Sequence, residues 1–199
     1  MANLQLSQRL QLHSLWVTSC EAEGVRLDLA GENLRNAQMP YAVLVGARLN
    51  GVDFRNANLA HADFVGADLR EADLRDARLE GADFSAANTK GILLKGAKLT
   101  GANLERAHLN SSDLSDTGMT DVNLTGALLR GANLHQADMS RANLRAADLS
   151  CADLRGAILR GADLACADLL AANLEGAVID KNTNLQGAKV DVDDLQTLV

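Results

Sequence analysis

The sequence predicts an all-β solenoid with a short helical N-terminal cap, and three observations carry the prediction. A period of five residues runs through most of the chain, the same few residue types recur at each place in it, and aromatics make up only 3% of 199 residues that are 47% hydrophobic. An ordinary mixed core anchored by aromatic side chains is thereby excluded. Every fifth position from Leu29 to Ile179 gives 31 positions: 23 Leu, with Met39, Met119, Met139, Phe54, Phe64, Phe84, Thr89 and Ile179 as the rest. Two places earlier, 24 of the 31 units carry Ala; the place between holds Asp or Asn in 20; and 13 of the 16 Gly lie two places after the central residue. The unit is Ala-(Asp/Asn)-Leu-X-X, seen cleanly in Ala67-Asp68-Leu69 and Ala152-Asp153-Leu154.

A period of five fits neither standard element. On a helix each step of five would rotate the central Leu by about 140°, smearing the stripe around the cylinder. In a straight strand an odd period would flip it to the opposite face at each repeat. The conflict disappears if the chain bends once per unit. Ala and Leu then point the same way, the residue between them points out, and the last two residues turn a corner where Gly eases positive φ. Stacked coils bury Leu and Ala in one column, and each coil supplies the hydrogen-bonding partner of the next.

These residues resemble the pentapeptide-repeat family over residues 27–181, without a register break. The resemblance implies a right-handed quadrilateral β-helix with four units per coil. Residues 27–181 then form nearly eight coils, a rod on the order of 37 Å long at the spacing of stacked strands. It also implies a non-enzymatic protein-interaction scaffold or regulator. A DNA-mimic activity on type II topoisomerase (gyrase) is the alternative, and a structural or assembly module a further one.

The ends need caps, because a solenoid exposes apolar core at each. Residues 1–26 are read as the helical cap: Leu4, Leu6, Leu10, Leu12, Leu15, Trp16 and Val17 stand loosely at helical spacing, Trp16 packs on the first coil, and Gly24 ends the segment. Residues 182–199 are read as an irregular C-terminal cap, because Leu185, Val190 and Leu195 continue the spacing in a register shifted by one residue near Asn182-Thr183. The run Gly187 to Asp193 resembles the lead into the dimerisation helix of some quinolone-resistance members, which places a very short helix over Asp194 to Val199.

With four units per coil, residues 20 apart stack. Arg35, Arg55, Arg75 and Lys95 then form a basic ladder, interrupted by Ser115 and His135 and resumed at Arg155, with Asp53, Asp73, Asp113 and Asp153 two positions earlier. The ladder is the expected partner-binding surface, or else an ion-paired solvated face. Ile158 with Val178, and Val43 with Val45 and Val65, are apolar residues in outward slots, suited to a subunit interface or to cover by the caps. Residues 27–181 hold 21 acidic and 16 basic residues, a net charge of −5. Duplex DNA carries a charge about every 1.7 Å, so mimicry is poor.

The sequence shows no chemistry-bearing constellation. His13, His61, His108 and His135 fall in separate places, Cys20, Cys151 and Cys166 form no metal-ligand spacing, and Gly residues stand as corners, not as a phosphate-binding loop. No enzyme, cofactor or metal is expected. The partner is an unspecified protein, with no direct nucleic-acid binding, no membrane span and a cytoplasmic setting, as a monomer or a homodimer through an end. Thr89, the one polar central residue, predicts a local defect with an unfilled space or a hydroxyl bonded to backbone.

Overall fold

A turn every five residues leaves room for one bridging residue per side, and that sets the architecture of residues 4–191, which the computed structural model describes. Parallel bridges join residues twenty apart in four rows. The first side carries Asp28, Arg48, Asp68 and Asn88, the second Asn33, Asp53, Asp73 and Leu93, the third Gln38, Asn58, Arg78 and Lys98, and the fourth Val43, Asp63, Asp83 and Asn103. The coil is four-sided. Its β-structure consists of isolated bridges and not of the extended strands that "all-β" suggests, because the corners take up the rest of each unit.

The corner geometry is uniform. From Gly31 to Gly176 every residue two places after the central one is left-handed, with φ between 53° and 73°. A turn such as Leu49 C=O accepting from Val52 N–H (3.2 Å) requires this at its third position. Many corners carry side chains, such as Tyr41 and Glu71, at roughly 1 kcal/mol each. Stacking against both neighbouring coils holds them there.

Four of the five amides in a regular unit have backbone partners. Leu49 N–H donates to Asp68 O (2.8 Å), Gly51 N–H to Arg70 O (2.8 Å), Asp68 N–H back to Ala47 O (2.9 Å), and the Ala-slot amide closes the turn. The fifth, on the residue after the central one, faces outward. In all twenty Asp/Asn units the side-chain Oδ1 two places earlier accepts it. That is why the slot takes Asp and Asn alike: the backbone needs an oxygen, not a charge. Two of the other units show the same logic. Pro40, following Gln38, has no N–H to satisfy. Arg130, following Leu128, finds Asn110 Oδ1 in the preceding coil at 3.0 Å.

Inside, the central and Ala slots are almost wholly buried, and Phe64 stacks on Phe84 with ring centroids 4.7 Å apart, the spacing of the coils themselves. A helix, α1, spans Leu6–Thr18 and packs Leu6 and Leu10 against the first-coil end of the core. Trp16 lies over the Gly46 corner, as the cap reading expects. Gly24 does not end the helix, which stops at Thr18 with Ser19 as its cap. Its φ of +80° returns the chain so close to α1 that a Cβ there would lie 2.2 Å from Leu12 O. His13 is buried beneath, accepting Leu27 N–H at Nδ1 (3.0 Å).

At the far end the inserted residue is visible as bridges that step by 21, Asp163 to Asn184 and Asp168 to Lys189. Asp180 Oδ1 accepts Gly161 N–H (3.0 Å), and Thr183 Oγ1 donates to Leu159 O (2.9 Å), so side chains mend the ladder across the bulge. The short helix expected over Asp194 to Val199 lies outside the described residues. No helix among the described residues is long and apolar enough to cross a membrane.

One side of one coil is unzipped. Thr89 is fully buried, and its Oγ1 donates to His108 O at 2.9 Å, the carbonyl that a central-residue amide takes elsewhere. The Asn88–His108 bridge is missing from an otherwise continuous row. The defect expected at Thr89 takes the form of a hydroxyl bonded to backbone.

Candidate interaction surface

The second side places its Asp slot and the residue two places on next to each other, both outward, and so builds a ladder of fork-shaped ion pairs. Arg55 donates from Nε to Asp53 Oδ1 (2.8 Å) and from NH2 to Asp53 Oδ2 (2.6 Å), and Arg75 holds Asp73 with the same two distances. Arg155 repeats the arrangement on Asp153 at 2.9 and 2.7 Å. Arg55 Nε also lies 3.3 Å from Asp73 Oδ2, linking two coils. Planar guanidinium against carboxylate is the geometry in which such pairs are strongest.

The ladder is not uniform. Arg35 follows Asn33, so its own unit provides an amide oxygen for its N–H and no carboxylate. Lys95 follows Leu93, and its ammonium reaches Asp116 on the next coil at 3.6 Å. Arg35, Arg55, Arg75 and Lys95 stand in consecutive coils. Arg155 is cut off from them by Ser115, which donates to Asp113 (2.7 Å), and by His135.

Electrostatics follow the pairing. Asp53 is held down to about 2, first by the side-chain hydrogen bond from Arg55, and Asp153 is lowered by Arg155 in the same way. Burial pushes Asp73 upward, but the hydrogen bonds from Arg75 and the nearby positive charge leave it below the usual carboxylate range. The Asp slots that read in the sequence as columns of negative charge are engaged by backbone amides and, on this side, by arginine. Their charge is largely spoken for locally.

Of the apolar outward residues, Ile158 and Val178 bridge to one another in adjacent coils of the third side, both half-buried. Val43, Val45 and Val65 are half-buried on the fourth side, beside the Gly46 corner that Trp16 covers. The sequence reading passed over Tyr41, 71% exposed at a corner and stacked on His61 with ring centroids 4.9 Å apart. The signal was available, since the two are twenty apart in the same corner slot.

The sequence profile described as pentapeptide repeats matches in eight copies, over residues 26–56, 53–91, 90–126, 119–156 and 142–180. The chain belongs to the pentapeptide-repeat family. Among solved structures it is similar to HetL, a pentapeptide-repeat protein involved in heterocyst differentiation regulation from the cyanobacterium Nostoc sp. strain PCC 7120. The two are 28% identical over 94% of this chain and 97% of that one, with a TM-score of 0.49. It is similar also to a trypsin-treated form of QnrB1, a plasmid-mediated fluoroquinolone resistance protein, at 22% identity over 87% of this chain and 89% of that one, with a TM-score of 0.65. The second likeness is one of fold. A search of curated proteins gives no match. In this pentapeptide-repeat chain, then, the interior follows the family pattern, and its individuality lies in the outward slots.

Proposed function

We propose that this pentapeptide-repeat protein is a non-enzymatic interaction module that binds a protein partner along the second side, through Arg35, Arg55, Arg75 and Lys95, with Arg155 as an outlying contact. The coil is taken in the right-handed sense of the family. The observation that carries the reading is the recurrence of a cation every twenty residues in a slot where the backbone asks nothing of the side chain. Core and corner slots are dictated by packing, and the Asp/Asn slot by its hydrogen bond; this one is free to answer to something else.

The carboxylates hold Arg55, Arg75 and Arg155 in fixed rank, so a partner meets groups whose freedom is already spent, which lowers the entropic cost of binding. The side chains remain open to contact, 32% exposed for Arg55 and 55% for Lys95. The same pairing argues against DNA mimicry on this side, where positive and negative groups alternate. Ile158 with Val178, and Val43 with Val45 and Val65, are secondary candidates for contacts between subunits, to be checked by light scattering on variants carrying Ser at each position.

The test is affinity capture with the wild type beside the variant Arg35→Gln, Arg55→Gln, Arg75→Gln, Lys95→Gln. Exposed ion pairs contribute about 0–1 kcal/mol each, so the rod stays folded. A partner retained by wild type and lost with the variant supports the reading, and equal capture by both overturns it.

A further inference from the structure

The first side, one corner away from the ladder, carries a second candidate site where the coils come apart. Five backbone hydrogen bonds that the regular pattern calls for are absent between residues 86–92 and 105–113: those from the amides of Ala86, Thr89 and Gly91 to the following coil, and from His108 and Asp113 to the preceding one. Over the opening lies a groove of about 500 Å³ lined by Asn88, Lys90, Gly91, His108, Asn110 and Ser111.

The corner between Gly91 and Ser111 is the open part of it, and sequence explains why. At neighbouring corners a side chain leans over the residue one coil on: Asp76 over Gly96, Arg106 over Gly126, Ser111 over Gly131. Gly91 has no side chain to lean over Ser111. Its amide, which by pattern would donate to Asn110 O, has no backbone acceptor. Lys90 makes no ion pair among the described residues, and the lining carries Lys90 and His108 with no carboxylate. Glu71 leans over Gly91 from the preceding coil, its Cγ 3.5 Å from where a Cβ would be. It therefore stands across the Gly91 backbone from the opening.

An N–H without a backbone acceptor, an ammonium and an imidazole lie along one polar groove whose lining carries no carboxylate. We propose that this opened side binds a small oxyanion, a phosphoryl or carboxylate group, seated at the Gly91–Ser111 corner and held by Gly91 N–H, Lys90 Nζ and the His108 ring. Anions are held in this way wherever backbone amides point free and a cation stands beside them. Thr89 is the positioning residue. By taking His108 O with its hydroxyl, it keeps the coils from closing and the Gly91 amide free.

The test is an amide ¹H–¹⁵N NMR titration of the full chain with inorganic phosphate and, separately, acetate, each against chloride at matched ionic strength. Saturable shifts centred on Lys90, Gly91, His108 and Ser111 are expected. Phosphate alone active points to a phosphoryl ligand, acetate alone to a carboxylate, and both to a general oxyanion site. The variant Lys90→Gln with His108→Gln weakens the binding by about tenfold or more while amides in other coils keep their positions. Thr89→Leu, with Lys90 and His108 intact, weakens it as well by letting the ladder close. Shifts that do not saturate, or that are the same in wild type and both variants, overturn the proposal.

Discussion

Residues 66–73 and 85–93 zip the first side with five backbone hydrogen bonds, from the amides of Gly66, Leu69, Glu71, Asn88 and Leu93. One coil on, the five equivalents from Ala86, Thr89, Gly91, His108 and Asp113 are all missing among the described residues. The two stretches share corner geometry and a buried central residue; they differ in that residue being Leu69 in one and Thr89 in the other. Leucine has nothing to offer the next coil's carbonyl, so the backbone amide takes it. Threonine's hydroxyl competes with its own backbone for the same acceptor, and here it wins. Ile92, in a slot that is mostly Ala, adds bulk beside it. A solenoid's regularity is thus a condition on side chains as much as on backbone.

The largest loss is expected in the zipped coils. Phe64 is fully buried and stacked on Phe84, so Phe64→Ala lowers stability by about 3–5 kcal/mol in urea unfolding. A loss under 1 kcal/mol would mean that the zipped coils are not the stable part.

The N-terminal cap sharpens the contrast, since there too a side chain serves a backbone group, but a titratable one. His13 Nδ1 accepts Leu27 N–H, and burial, with Arg26 nearby, holds its proton affinity below the usual 6.5. The unfolded imidazole therefore takes up a proton before the folded one. Docking of α1 is at full strength above pH 6.5 and weakens as pH falls from 6.5 towards the lowered folded value. Trp16 fluorescence should report this, and His13→Gln should flatten the profile.

Thr89→Leu converts the open stretch towards the closed one. Added apolar contact and restored backbone bonds are expected to stabilise the chain by about 1 kcal/mol, read as a rise in Tm. A loss of stability would show the slot to be already filled. The smallest effect separates charge from hydrogen bonding in the Asp/Asn slot. Asn143 Oδ1 accepts Arg145 N–H at 3.2 Å, so Asn143→Asp is near neutral while Asn143→Ala costs about 0.5–1.5 kcal/mol by denaturant titration.

Leu, Ala and Gly at period five made the interior and corners legible, because each is dictated by packing or by φ at its own place. Thr89 was legible as an exception to that pattern. The Asp/Asn slot was legible only as an outward place, because its partner is an amide two residues on and a one-letter sequence does not show which backbone groups lack partners. The basic ladder was visible as a column, but its bidentate pairing with Asp53, Asp73 and Asp153 depends on side-chain geometry. The groove at Gly91 and Ser111 was hidden for a further reason: it arises from backbone bonds that fail to form, which no residue type announces.

Native-state hydrogen exchange followed amide by amide tests the contrast most directly, because it reads the ladder bond by bond. Thr89, Gly91 and His108 are expected to exchange far faster than Leu69, Glu71 and Asn88, and Thr89→Leu to bring the two sets together. Equal protection in the wild type would contradict the contrast, and with it the opened side on which the oxyanion site depends.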